Sequence, residues 1–255
     1  MPKRRGNVRL RLNVWQCIEP ISFIFCHEVK VRFVMLSPQE FVYMPPQHAL
    51  EVLYEDDDYI AIDKPAGLLS VMGRLPEHQD SAYLRILEQY PQAKVTHRLD
   101  MATSGILLFA KHRDAEVAMS KLFQARAVEK QYIALVQGEL LGQDKIDVPM
   151  ITDWDNRPKQ KVDFEIGKTA QTLYFSQNYD HVKDMSRILL QPITGRSHQL
   201  RVHLAHIGHP IVGDRFYHPR PEQSGLGRMA LHAHALIFVQ PLTGKALHLE
   251  STMPF

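Results

Sequence analysis

Cysteine is nearly missing from this 255-residue chain: Cys17 and Cys26 are the only two, both close to the N-terminus. The body of the protein therefore carries neither a disulfide framework nor a thiolate metal site, and a reducing cytoplasm suits it. No run of about eighteen apolar residues occurs, which argues against a membrane-spanning helix. An excess of one charge is missing too, since the formal net charge is only +2. Bulk charge thus gives no reason to expect a polyanionic partner, and any nucleic-acid site has to be a local cluster of cations. Internal repeats and low-complexity tracts do not occur either.

The even balance hides an asymmetry. Residues 1–34 hold seven Lys or Arg against two acidic residues, leaving 23 basic and 26 acidic side chains over 35–255. Lys3-Arg4-Arg5 followed by Ile21-Ser22-Phe23-Ile24-Phe25 has the order of a signal peptide, but the apolar core is short and is broken by Pro20 and His27. A more ordinary pattern begins at Met35, and Met44 is a second candidate start. We expect residues 1–44 to be a disordered extension or a misassigned start, and 45–255 to form one domain. A hydrophobic content of 45% is enough to bury a sizeable core.

Periodicity sketches that domain. Glu51–Tyr54 and Tyr59–Asp63 read as strands around an acidic turn, and Lys64-Pro65-Ala66-Gly67 turns the chain. Ser81–Tyr90 has helical spacing ended by Pro91, and a second amphipathic helix follows Asp114 through Phe123. Ile106–Ala110, Tyr132–Val136, Tyr174–Gln177, Arg187–Gln191, Leu236–Val239 and Leu247–Leu249 are β-prone. Ser197–Ile207 reads as a helix with Ser197 as its N-cap. Strands outnumber helices without βαβ alternation. The expected fold class is α/β of the α+β kind, a mixed, largely antiparallel central sheet with flanking helices.

The stretch from Thr96 to Lys111 carries the chemistry. Asp100 sits in a polar turn just ahead of a buried-strand pattern, so a carboxylate stands on a loop held by a rigid scaffold. Taken alone, Asp100 could equally pair with Arg98 or cap a turn. Further along, Trp154, Arg157, Lys159 and Lys161 interleave an aromatic with cations in a Pro-containing loop, the best local candidate for a nucleic-acid patch.

Three separated motifs occur in a fixed order: His97-Arg98-Leu99-Asp100 with its Ser104-Gly105 turn, then Lys130-Gln131-Tyr132-Ile133-Ala134, then Pro192 through His203 containing Gly195-Arg196-Ser197-His198-Gln199-Leu200-Arg201. Together they resemble the RluA-type pseudouridine synthases. The likeness runs from about Leu50 to the C-terminus, through Ile62–Gly67, His209–Asp214 and Leu231–Ala233. Leu68–Leu75 and Asp155–Val162 look closest to the branch that modifies both rRNA and tRNA.

The resemblance implies a pseudouridine synthase fold with a central catalytic cleft and an isomerisation that needs no cofactor and no metal. The uridine glycosidic bond is broken, the base turns, and it rejoins the sugar through carbon. Asp100 would act on the sugar as nucleophile or base. Arg201 would keep that carboxylate ionised, and Tyr132 would stack on the base and relay a proton. Arg98 would fill the space left by the extruded base. Arg74, Arg196 and His198 join the loop residues as expected RNA contacts, with His78 a weaker one. The implied partners are tRNA and 23S rRNA stem-loops, with uridine 32 of the anticodon loop and uridine 746 as targets, and a cytoplasmic monomer is expected. Two other readings were weighed. His198, His203, His206, His209, His232 and His234 could suggest a metal enzyme, and the basic loop could belong to a non-catalytic RNA-binding protein.

Overall fold

The computed structural model describes residues 42–255. The expected extension lies outside the described residues except for its last three positions, and so do Met35 and both cysteines. Tyr43 is buried, and its hydroxyl donates to the Asp80 carbonyl at 2.9 Å and accepts from the Leu69 N–H at 2.9 Å. The packed body therefore reaches at least Tyr43, two residues ahead of the expected start at 45.

Twelve strands and three α-helices follow: β1 (Glu51–Glu55), β2 (Tyr59–Lys64), α1 (Ala82–Gln89), β3 (Lys94–Val95), β4 (Ser104–Ala110), α2 (Arg113–Gln124), β5 (Glu129–Gln137), β6 (Gln143–Asp147), β7 (Met150–Thr152), β8 (Gln160–Val162), β9 (Gln171–Asp180), β10 (Met185–Pro192), α3 (Gln199–His206), β11 (Leu231–Val239) and β12 (Ala246–Glu250). Ten strands make one sheet in the order β1-β2-β4-β11-β5-β10-β9-β6, with β3 added to β4 and β12 to β11, while β7 and β8 form a separate hairpin. Every pairing is antiparallel except β4 with β11. The mixed, largely antiparallel sheet is the one expected. No helix among the described residues is long and apolar enough to cross a membrane.

The local causes are mostly those read from sequence. The Asp56 carboxylate accepts from the Asp58 and Tyr59 N–H groups and turns β1 into β2. Ser81 caps α1 by accepting from the Leu84 N–H. Ser197 does not cap α3. The residue before that helix is His198, at φ 55° with no side-chain cap, and the nearby Arg196 N–H is satisfied by Gln199 Oε1 at 3.0 Å. The hairpin strands β7 and β8 were not anticipated because each has only three residues, too few for periodicity to register.

Three core clusters pack on the large sheet. Ile60, Ile62, Leu107 and Phe109 pack with Ala82 and Ile86 of α1. Ala134, Val136, Ile188 and Leu190 pack with Leu200 and Leu204 of α3. Tyr132 is packed against both of these clusters, so it stands at their seam. A third cluster, with Leu108 and Phe238, is closed by Ala115 and Met119 of α2. Fully burying each such aliphatic or aromatic side chain stabilises the fold by about 1.5–3 kcal/mol.

Beneath the seam the sheet divides. The strands β4 and β11 pair only at Ser104–His232 and Gly105–Ala233, after which β4 continues with β3 and β11 with β12. Gly105 has φ +107°, and a Cβ there would lie 2.2 Å from the Ala233 carbonyl oxygen. Only glycine allows both the backbone turn and this approach. Gly105→Ala is expected to destabilise the protein by about 2 kcal/mol or more, seen as a lower urea midpoint; an unchanged midpoint would mean that the strand junction relaxes freely.

Burial also pushes His97, His203 and His232 down to about 4. Above about pH 6.5 these rings are neutral in both folded and unfolded chains and contribute no pH dependence. As the pH falls from there toward 4, the unfolded chain takes up protons that the native state refuses, so stability drops by at most about 1.4 kcal/mol per pH unit for each ring. The urea midpoint should therefore be lower at pH 5 than at pH 7. Equal midpoints would show that the native rings accept protons.

Candidate active site

Asp100 owes its position to the segment that follows β2. Lys64 is completely buried, and its ammonium donates to the Pro65 and Leu68 carbonyls at 2.8 Å and to the Met101 carbonyl at 3.3 Å. Burial pushes it down to about 7, opposed by the nearby Asp100 charge. The Gly67 N–H also reaches Met101 O at 2.8 Å. On the other side of Asp100, the Ser70 hydroxyl donates to Leu99 O at 2.7 Å and accepts from Leu99 N–H at 3.0 Å. Both neighbours of Asp100 are thus pinned through their backbones, and its side chain remains 27% exposed.

Arg201 comes up beneath it from α3. The guanidinium, 4% exposed as a residue, donates Nη1 to Asp100 Oδ2 at 3.0 Å. Its Nε and Nη2 donate to the two oxygens of the fully buried Asp214, each at 2.7 Å. Burial opposes the Arg201 charge, but the two carboxylates outweigh it and raise the group above its ordinary value. Asp214 Oδ1 also accepts from the Phe216 and Tyr217 N–H groups, and both rings face the guanidinium at about 5 Å. Arg98 does not compete for Asp100: it is exposed, and Arg201 is the partner.

Tyr132 completes the centre from β5, opposite Leu190 on β10 and Ala233 on β11. Burial first, and the Asp100 charge second, push its phenol well above the usual range, so the hydroxyl keeps its proton. That hydroxyl has no hydrogen-bond partner among the described residues. His198 lies on the other flank, with Nε2 3.8 Å from Asp100 Oδ2. Burial first, and Arg201 in addition, lower its basicity, and Asp100 and Asp214 oppose the shift. Its left-handed backbone costs about 1–2 kcal/mol for a residue with a Cβ, strain of the kind that collects at functional sites.

The expected RNA contacts fall in three places. Trp154, Arg157, Lys159 and Lys161 belong to the β7–β8 hairpin, whose base packs through Met150 and Val162 on Val202 of α3 and on Tyr217. Trp154 is 65% exposed, with the Arg157 guanidinium 3.5 Å from its ring centroid. None of these three cations pairs with a carboxylate among the described residues. Arg196, exposed ahead of α3, donates to Thr169 O at 3.1 Å. Arg74 and His78 stand apart, on the loop before α1.

The histidines of the metal reading are scattered over protein partners. His203 meets Thr172 Oγ1 and Val148 O, His209 meets Gln137 O, His232 meets Ser104 Oγ, and His234 meets Ser251 O. Among the described residues no group of three or more His, Cys, Asp or Glu could hold a metal. Sequence reasoning missed Asp214 and Tyr217 as working parts of the site. Asp214 closes the His209–Asp214 motif, but nothing in the chain announces that it would meet Arg201, and Tyr217 carries no motif signal.

Comparison with known proteins identifies the family. Residues 58–206 match the RNA pseudouridylate synthase family. The chain is 47% identical over 215 residues to the dual-specificity RNA pseudouridine synthase RluA of Escherichia coli O6:H1, covering 84% of this chain and 98% of that one. It is 48% identical over 204 residues to the RluA of Vibrio vulnificus, covering 78% and 82%. The solved structure of human RNA pseudouridylate synthase domain containing 1 superposes with a TM-score of 0.69 at 27% identity, covering 83% of this chain and 87% of that one. The chain belongs to the RluA-type family of RNA pseudouridine synthases, isomerases that act on RNA.

Proposed function

We propose that this enzyme isomerises a uridine in stem-loops of both tRNA and 23S rRNA, with uridine 32 of the anticodon loop and uridine 746 as its targets. The observation that carries the reading is the asymmetry at Asp100. Among the described residues only Oδ2 is held, by Arg201 at 3.0 Å, and no hydrogen bond occupies Oδ1, while the Asp100 charge reaches the Tyr132 phenol. A carboxylate ion-paired to a guanidinium and presented on one oxygen suits attack on the sugar or removal of a sugar proton. The dual-specificity relatives, nearly half identical over most of the chain, support the choice of substrates.

In this reading the target uridine leaves its stack, at a cost of a few kcal/mol, and enters the seam between the two core clusters. The Tyr132 ring stacks on the freed base, a contact worth about 1–3 kcal/mol, and its hydroxyl is the proton relay. Arg98, exposed on the rim, fills the vacated space in the RNA. The hairpin cations hold the stem backbone, with Trp154 as a stacking platform, and Arg74, Arg196 and His198 add contacts around the mouth. Recognition rests on loop shape as much as on sequence. In this reading the enzyme works in the cytoplasm as a monomer.

Two measurements test this. Tritium release from an anticodon stem-loop carrying 5-tritiated uridine should proceed with purified protein and no added metal, because the C5 hydrogen leaves when the new carbon bond forms. Asp100→Asn should abolish release while still binding the stem-loop; turnover by that variant would remove Asp100 from its role. Separately, Lys159→Ala with Lys161→Ala should weaken binding and reduce the slope of log affinity against log salt by about one unit for each lost cation. An unchanged slope would take the hairpin out of the RNA footprint.

A further inference from the structure

A chain of polar contacts runs from the β7–β8 hairpin to the catalytic carboxylate. The backbone N–H of Gln160, the first residue of β8, donates to the Tyr217 hydroxyl oxygen at 2.8 Å. That oxygen lies 2.8 Å from His198 Nδ1. On the far side of the ring, His198 Nε2 lies 3.8 Å from Asp100 Oδ2.

Donor accounting decides how the protons are arranged. A phenol has one proton to give and two lone pairs, and Gln160 already occupies one lone pair. Among the described residues the other partner of the Tyr217 hydroxyl is His198 Nδ1. If Nδ1 carried the ring proton, the phenol would face two donors and its own proton would have no acceptor. The arrangement that leaves no donor unpaired has a bare Nδ1 accepting from Tyr217 and the ring proton on Nε2. The phenol stays protonated, because burial pushes it up to about 12. The charged groups around His198 are Asp100, Arg201 and Asp214, with the rings of Phe216 and Tyr217 packed at 5.7 Å. Their balance, together with burial, keeps the imidazole neutral at pH 7.

We infer that Tyr217 is a positioning residue: by donating to Nδ1 it fixes His198 as the Nε2–H tautomer and aims that single ring N–H at the Asp100 oxygen already held by Arg201. His198 and Arg201 then both address Oδ2, and Oδ1 is the atom presented to the sugar. The 3.8 Å separation is longer than a hydrogen bond and shortens when substrate closes the site, as catalytic contacts do. This inference rests on the reading of Asp100 as the catalytic carboxylate.

Nitrogen-15 NMR of histidine-labelled full-length protein at pH 7 should report His198 with Nδ1 unprotonated and Nε2 protonated. Tyr217→Phe removes the donor, so the ring should become a mixture of tautomers and take up a second proton at higher pH. In single-turnover tritium release on the stem-loop, Tyr217→Phe should slow the reaction about tenfold or more, with affinity for the RNA changed by less than about twofold. His198→Gln, whose amide can carry an N–H toward Oδ2, should retain more of the rate than His198→Leu. A wild-type His198 protonated on Nδ1 overturns the inference, as does a Tyr217→Phe enzyme with unchanged rate and unchanged ring signals. These outcomes differ from an active Asp100→Asn, which would overturn the underlying reading.

Discussion

One guanidinium between two carboxylates organises this protein. Arg201 is buried, and burying a cation costs several kcal/mol unless its partners are close and its remaining donors are satisfied. Here Nε and both Nη nitrogens donate to carboxylates, to Asp214 through a bidentate fork and to Asp100 through one bond. The assembly of two carboxylates and one guanidinium carries a net charge of −1. The deeper carboxylate is fully enclosed and structural, and the outer one is partly open to the cleft. Arg201 thus orients Asp100 without covering it, which is the condition a reactive carboxylate needs. Lysine could not replace it, since an ammonium lacks the fixed fork that reaches both partners in defined directions.

The rest of the fold serves to bring those three residues together. Asp100 arrives from the loop before β4, Arg201 from α3 and Asp214 from the segment ahead of β11, so the cluster joins both halves of the sheet. A junction of glycine and alanine, Gly105 against Ala233, lets β4 and β11 approach closely beneath the seam before they diverge. Lys64 and Ser70 then fix the loop from behind through backbone contacts only. Such anchoring leaves the Asp100 side chain free of partners other than those at the reaction centre. The Lys64 side-chain nitrogen, spent on three carbonyl oxygens, lies near Asp100 without bonding to it and adds positive charge there in its protonated form.

RNA binding on so nearly neutral a surface is a matter of distribution. Residues 35–255 carry slightly more acid than base, and some of their cations are paired, as Arg85 is with Asp80 and Lys111 with Glu55. The hairpin gathers three cations without a carboxylate partner among the described residues beside an exposed tryptophan. Unpaired cations beside a stacking ring are a local source of affinity that does not require a basic protein. The same hairpin ends at Gln160, whose N–H begins the contacts leading to His198 and Asp100. The cation-bearing hairpin and the Asp100–Arg201 cluster are therefore linked through one run of contacts.

How much of this could be read in advance depends on the range of each interaction. Local signals sufficed for the helix from Ser81 to Tyr90, for the antiparallel strands with their apolar runs, and for Asp100 as the acid of a loop-to-strand motif. Arg201 was legible because its motif, like those of Asp100 and Tyr132, is contiguous. Where the reading failed, the competing force was tertiary. His198 rather than Ser197 precedes α3, because packing against Tyr217, Phe216 and Asp100 holds it in a backbone conformation that local propensity disfavours. The three-residue strands of the hairpin had too little length to show a period. Asp214 and Tyr217 gave no sign of their roles, since a hydrogen bond between residues 13 or 19 positions apart leaves no pattern in the chain. By itself the sequence determined most of the elements, the family motifs and the candidate carboxylate. Only the tertiary structure decided which oxygen of that carboxylate is held and by whom, because that choice depends on directions and distances between side chains that covalent order does not encode.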